Sequence, residues 1–316
     1  MISFLVSAIC LGMTFLYGST GETITQKAGH LNLGIPGVMC VGASFGCTAA
    51  SWYYTATHGN MNAFFGIVIP IVVTVIGGAL MGLLYSFLTV SLRANQNVTG
   101  LVLTTFGVGL SDFMISKLDG QTFAAVSPFF TAKLPFASDL GWFGQLFLAH
   151  GILVYLGIAI ALIASFVLKK TRIGLHLRAV GENPATADAA GINVTAYRYG
   201  ATCIGCGIAG LGGFTYIMDY LGGNWEYDIE AMGWLAIALV IFTVWKPNLG
   251  VLGSFLFGAL YILYSRIPGL DIAAQEIFKM LPYVVTILVL IITSARKKRE
   301  TQPPASLGVN YFREER

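Results

Sequence analysis

Residues 169–195, KKTRIGLHLRAVGENPATADAAGINVT, form the longest polar interruption in a chain that is otherwise mostly apolar. Inside it both ends of a very short helix are marked. Asn183 suits the N-cap, Pro184 suits the first helical position because its missing N–H would go unpaired there, and Gly191 supplies the stop after the last turn. Residues 184–190 would make a rod only about 10 Å long, at about 1.5 Å per residue. A helix that short does not hold itself together in water, so it is expected to be docked on something. Lys169, Lys170, Arg172 and Arg178 lie just upstream, where cytoplasmic loops between membrane spans carry their positive charge. A short capped helix docked there reads as a mechanical contact.

The rest of the chain agrees with a membrane setting. Of 316 residues, 56% are hydrophobic and 10% charged, against about 25% charged in a soluble domain. The 38 glycines suit helices that approach closely in lipid. A net charge of +3 gives no reason to expect a nucleic-acid partner. The opening MISFLVSAICLGMTFLYG lacks a basic n-region and a cleavage site and reads as a retained span.

Crossing about 30 Å of hydrocarbon takes about 20 apolar residues. Nine runs meet or approach that length: 2–18, 35–56, 64–91, 98–116, 146–168, 197–221, 232–246, 249–266 and 277–295. The expected fold is therefore all-α, a polytopic transmembrane bundle of about nine spans. Residues 1–295 form the membrane domain, with 169–195 as its cytoplasmic loop, and 296–316 form a cytoplasmic tail. With that loop and the basic RKKRE inside, only Lys117, Lys133, Arg266 and Lys279 fall near the outer side, and Asp119, Asp139, Glu226, Asp228, Glu230, Asp271 and Glu276 all land there. Nine spans place the N-terminus outside. Ala201, Gly205, Ala209 and Gly213 make one smooth stripe for a neighbouring helix, and Gly78 with Gly82 a second.

Several motifs carry no chemistry here. Gly205-Cys-Gly207-Ile-Ala-Gly210 matches the dinucleotide fingerprint but sits inside an apolar run, without a preceding strand or a wet helix start. The five cysteines lie in apolar runs and read as buried thiols. Neither a phosphate-binding loop nor an H-E-x-x-H motif occurs, and the four histidines are scattered. No cofactor, metal or catalytic set is expected. Asp112 and Asp219 each read either as a pathway residue or as a solvated helix end. The stretch 22–46, ETITQKAGHLNLGIPGVMCVGASFG, reads either as a broken segment offering backbone groups to a polar solute or as a tight helix–helix turn, and its part 22–34 either as re-entrant or as a plain loop.

GLHLRAVGENPATADAAGINV resembles the cytoplasmic loop of bacterial ABC-transporter permeases of the branched-chain amino acid, sugar and nucleoside group. ETITQKAGHLNLGIPGVM is similar to that group's early segment, and GIAGLGGFTYIMDYLG with GWLAIALVIFTVWKPNLGVLGSFLFGAL to its later half. The nucleoside permeases are the most similar in pattern. The resemblance implies a permease subunit in the bacterial plasma membrane, surrounded by lipid. It would pair with a second, related permease, a cytoplasmic ATPase with duplicated nucleotide-binding halves and an external solute-binding lipoprotein. It makes Arg178, Gly181, Glu182, Asn183, Pro184, Ala187 and Gly191 candidates for coupling to the ATPase. Asn32, Gly34, Pro36, Gly37, Thr104, Thr105 and Asp112 are candidates for the solute path. Two positions depart from the group: Gln26-Lys27 stand where an acid–base pair is usual, and Pro36 where an acid is usual. Sugars, riboflavin-like compounds and branched-chain amino acids therefore stay open beside nucleosides. A secondary transporter would show paired ionisable residues at mid-membrane, a channel a repeated filter segment, and an intramembrane enzyme a nucleophile–base or metal set.

Overall fold

The computed structural model describes residues 2–133, 141–296 and 302–312, and all the regular structure among these is helical. In order the helices are α1 (Ile2–Lys27), α2 (Ile35–Ala56), α3 (Ala63–Ser86), α4 (Gln96–Ile115), α5 (Gly120–Ala124), α6 (Ser127–Thr131), α7 (Gly141–Phe147), α8 (Ile152–Lys170), α9 (Arg172–Glu182), α10 (Pro184–Ala189), α11 (Val194–Thr215), α12 (Ile229–Phe242), α13 (Pro247–Tyr261), α14 (Ile272–Lys279) and α15 (Leu281–Arg296). One π-helical turn, Phe87–Ser91, extends α3, and another, Tyr216–Tyr220, extends α11. Many helix starts are set by residues whose side chains take up a free N–H. Asn62 caps α3, Asn95 α4, Thr171 α9 and Asn193 α11.

Among the described residues, seven helical stretches are long and apolar enough to cross a membrane: Ile2–Lys27, Ile35–Ala56, Ala63–Ser91, Gln96–Ile115, Ile152–Lys170, Val194–Tyr220 and Ile272–Ile292. The expected seventh and eighth spans are shorter. Helix α12 has 14 residues and α13 has 15, or about 21–23 Å each, short of the roughly 30 Å of hydrocarbon. The turn between them is tight, with Val244 and Trp245 both at φ +53° and Pro247 opening α13. The first span also differs from expectation. It does not stop at residue 18 but continues through the polar STGETITQK to Lys27, because that polar turn is enclosed by other helices.

Helix α1 is the central post, in contact with α8, α11, α12 and α13, while α2 packs on α3, α4 and α11. The small-residue stripes lie where these axes come closest. A Cβ on Gly205 would stand 2.5 Å from the Gly21 carbonyl, and one on Gly82 would stand 2.8 Å from the Thr202 carbonyl. Any larger residue forces α11 away from α1 or α3, which removes the dispersion contacts that hold helices together in lipid. Gly181 of α9 lies against the Lys27 carbonyl, so the 169–195 loop and the C-terminal end of α1 share one end of the bundle. At the other end Cys10 donates its thiol to Asp219 at 3.3 Å. Asp219 is only 9% exposed, so it is an enclosed group rather than a solvated helix end. Asp139 and residues 297–300 of the basic RKKRE run lie outside the described residues.

Candidate functional site

Between α1 and α2 the chain turns back into the bundle without helical structure. Gly29 lies against Arg198, with a Cβ there 3.3 Å from Nη2. His30 Nδ1 is 2.9 Å from the Thr202 hydroxyl, and Asn32 Nδ2 donates to Cys206 Sγ at 3.3 Å. Arg198, Thr202 and Cys206 are successive turns of α11, so residues 29–32 climb about 12 Å along it. Non-helical backbone at that depth survives only if its polar groups are satisfied inside the protein. Here they are. The N–H of His30 donates to the Thr25 carbonyl, that of Leu31 to Gln96 Oε1, that of Asn32 to Glu22 Oε1 and that of Gly34 to Asn32 Oδ1. The carbonyls of Gly29, Leu31 and Leu33 accept from the Gly308 N–H, the Tyr85 hydroxyl and the Thr104 hydroxyl.

A buried carboxylate anchors this segment. Glu22 is fully enclosed; its Oε1 accepts from Gln26 Nε2 at 2.7 Å and from the Asn32 N–H at 3.2 Å. Gln26 Oε1 in turn accepts from the Trp245 indole. The acid lies one helical turn before Gln26, where the resemblance placed an acid. Among the described residues the buried Glu22 Oε2 has no hydrogen-bond partner, a group that calls for a water or polar ligand.

The expected path residues separate into two sets. Asn32, Gly34, Gly37 and Thr104 form one seam: a Cβ on Gly37 would stand 2.5 Å from the Leu103 carbonyl and 2.7 Å from Thr104 Cα. Pro36 closes the same region against Gly233 of α12. Thr105 and Asp112 lie outside the seam. Thr105 is exposed and bonds back to the Leu101 carbonyl, and Asp112 is half-buried further along α4.

The cytoplasmic-loop candidates are placed as follows. Asn183 Oδ1 accepts from the Thr186 N–H at 3.0 Å, Pro184 opens α10, and Gly191 takes φ +82° just past it. Ala187 is 3% exposed and packs with Val180 of α9 and Val194 of α11. It seats α10 on this chain, while Thr186 and Ala189 face outward. Among the described residues Arg178 bonds to its own helix, at the Gly174 carbonyl, and Glu182 Oε2 accepts from the Ala305 N–H at 3.4 Å.

That last contact belongs to the segment after α15, which the sequence alone predicts to be a tail. Residues 302–312 run across the same end of the bundle. The Ser306 N–H and hydroxyl both donate to the Gly181 carbonyl, and the Gly308 N–H donates to the Gly29 carbonyl at 3.1 Å. Asn310 Nδ2 donates to the carbonyls of Arg93 and Ala94, and its Oδ1 accepts from Gln96 Nε2. Arg198 Nη2 donates to the Val309 carbonyl, and the Tyr311 hydroxyl donates to Asp188 of α10 at 2.7 Å. The tail is a strap that joins α10, the turned-back segment and the α3–α4 turn.

A polar non-helical segment held inside an apolar bundle, and strapped to a docked surface helix, is the build of a membrane transport permease. Residues 4–290 match the family described as branched-chain amino acid transport system / permease component, and the chain belongs to that family. It is 31% identical to the nucleoside ABC transporter permease protein NupC of Lactococcus lactis, over 94% of this chain and 93% of that one. Identity is also 31% to TsgC13 of Haloferax volcanii, assigned as a glucose ABC transporter permease, over 95% and 94%. It is 30% to the guanosine ABC transporter permease protein NupQ of Bacillus subtilis, over 94% and 92%. An inward-facing structure classed with metal-chelate ABC transporters shares the fold, with TM-score 0.50 and 12% identity, over 92% of this chain and 85% of that one.

Proposed function

We propose that this permease forms half of the path through which an ATP-driven importer brings nucleosides into the cell. The observation that carries the reading is the strap: Tyr311 on Asp188 and Gly308 on Gly29 join α10, the helix that would dock on an ATPase, to the segment that would line the path. Nucleosides are favoured because two of the three relatives described above are permeases for nucleosides or guanosine. Glucose is the second reading, on the strength of the haloarchaeal relative. Helices α12 and α13 act as two further crossings, making nine, since Lys169 at the end of α8 donates to Asn248 at the start of α13 at 3.0 Å. The N-terminus is then outside. The importer is completed by a second, related permease, an ATPase with duplicated nucleotide-binding halves and an external lipoprotein. Asn32, Gly34, Pro36, Gly37 and Thr104 line the path, with Thr105 and Asp112 on its approach. Arg178, Gly181, Glu182, Asn183, Pro184, Ala187 and Gly191 build and orient the coupling element.

The test is uptake of labelled guanosine and labelled glucose into proteoliposomes holding the full complex and ATP. Guanosine uptake that needs the ATPase supports the reading. Uptake of glucose alone selects the second one, and transport by this chain on an ion gradient without an ATPase overturns both.

A further inference from the structure

A second site opens on the cytoplasmic end, away from the turned-back segment. A cavity of about 470 Å³ lies between the π-helical turn after α3 and the start of α11, walled by Thr89, Arg93, Asp188, Thr195, Arg198 and Tyr311. Three features give it a positive character. Asn193 caps only the Ala196 N–H of α11, so the first N–H groups of that 22-residue helix have no intrahelical acceptor and present the positive end of its dipole. Arg93 is exposed at the mouth, held there by a backbone at φ +58° and by stacking on Phe312, 4.8 Å from the ring centroid. Arg198 is the independent sign of a ligand. It is 2% exposed and forms part of the cavity wall, yet its Nε is buried with no hydrogen-bond partner. Among the described residues its guanidinium makes one bond, to the Val309 carbonyl at 3.3 Å. A buried guanidinium with one neutral acceptor lacks the anion that normally accompanies it. The one carboxylate in the wall, Asp188, is engaged by the Tyr311 hydroxyl.

We propose that this cavity binds a phosphate group, as inorganic phosphate or as the phosphate of a small monoester. Arg198 is the buried anchor, Arg93 the gate and the α11 N-terminus the cradle. Occupancy ties the α3–α4 turn to the α10–α11 loop and so loads the coupling helix directly. The site does not depend on which solute the permease carries.

The experiment is calorimetric titration of the purified full chain, in phosphatidylcholine nanodiscs, with inorganic phosphate and with ribose 5-phosphate. Chloride at equal ionic strength and ribose serve as controls. Both phosphates are expected to bind, and neither control. Arg93→Asn, which suits the left-handed backbone, should weaken binding about tenfold, as loss of one charge-assisted bond does. Asp188→Asn should strengthen it, and Lys170→Gln, outside the cavity, should leave it unchanged. Arg198→Gln should abolish binding; if that variant does not fold, the opposite signs of Arg93→Asn and Asp188→Asn decide. Repeating the titration in phosphatidylglycerol discs separates the sources. Competition there assigns the site to a lipid headgroup, and undiminished binding assigns it to a soluble phosphate. Binding no tighter than chloride, or the same affinity in Arg93→Asn and Asp188→Asn, overturns the proposal.

Discussion

Ser306 donates both its backbone N–H and its hydroxyl to the carbonyl of Gly181, the next-to-last residue of α9. Gly181 itself lies against the Lys27 carbonyl at the end of α1. One peptide group thus receives the strap, and the same residue carries the close contact between the surface helices and the central post. Movement of α9 relative to α1 has to break or carry these contacts.

Removing the strap tests that wiring. A chain ending at Thr301 should still insert, because each of the seven long apolar stretches ends before that residue. Uptake should fall several-fold in the reconstituted complex, and solute-stimulated ATP hydrolysis should fall with it. Tyr311→Phe alone, which deletes the bond to Asp188, should cost about 1.5–3 kcal/mol of local stability, as for a hydrogen bond to a charged group. Paired assays of uptake and hydrolysis on the truncated chain check this. Wild-type values in both would mean the strap is passive.

Glu22 should be a stability residue of the turned-back segment. Glu22→Ala leaves the Gln26 amide and the Asn32 N–H without the acceptor they share, at about 1–3 kcal/mol for each buried orphan. Glu22→Gln keeps an acceptor oxygen and should lose far less. Thermal unfolding of both variants in detergent measures the difference; equal midpoints would show that the turned-back segment does not rely on this carboxylate.

Two adjacent threonines on α4 separate the proposed path seam from its exposed approach. Thr104 is 4% exposed and donates to the Leu33 carbonyl, whereas Thr105 is exposed and bonds only to its own helix. Single cysteines at these positions should differ. Thr104→Cys should react with a small thiol reagent only in conformations that open the seam, and Thr105→Cys should react equally in all. State-independent labelling at both would make the seam simple packing.

What was legible in advance follows from the range of the interactions. Long apolar runs, small-residue stripes and helix caps are local patterns; they marked the long spans, the close-packing faces of α3 and α11 without their partners, and α10 to within one residue of its end. Helix α9 was missed because Gly174 and Gly181 lower its helix propensity; the glycines are there so that α9 can lie against α8 and α1. The strap was missed because its partners, Gly29, Arg93, Gly181 and Asp188, are more than 100 residues away and its sequence has no apolar period. Glu22 and Gln26 are spaced one turn apart, and Arg198 sits just inside a predicted span; both were readable signs of a buried polar cluster.

The same limit applies to α10, where the burial of Ala187 was not readable from a six-residue helix. Because Ala187 packs against Val180 and Val194, Ala187→Trp should unseat α10 from its own scaffold, with an overpacking cost of about 1–3 kcal/mol. Asn183→Ala should loosen the start of the helix by about 0.5–2 kcal/mol. Both are structural lesions and should lower thermal stability together with uptake. Ala189→Trp adds bulk on the outward face, and it should leave the unfolding midpoint unchanged. If that face docks on the ATPase, Ala189→Trp should abolish uptake and stop solute from stimulating hydrolysis, while basal hydrolysis by the ATPase continues. Unfolding, hydrolysis and uptake measured side by side on the three variants distinguish a damaged helix from a blocked interface. Normal coupling in Ala189→Trp would place the ATPase contact elsewhere on this end of the bundle, with α9 the next surface to mutate.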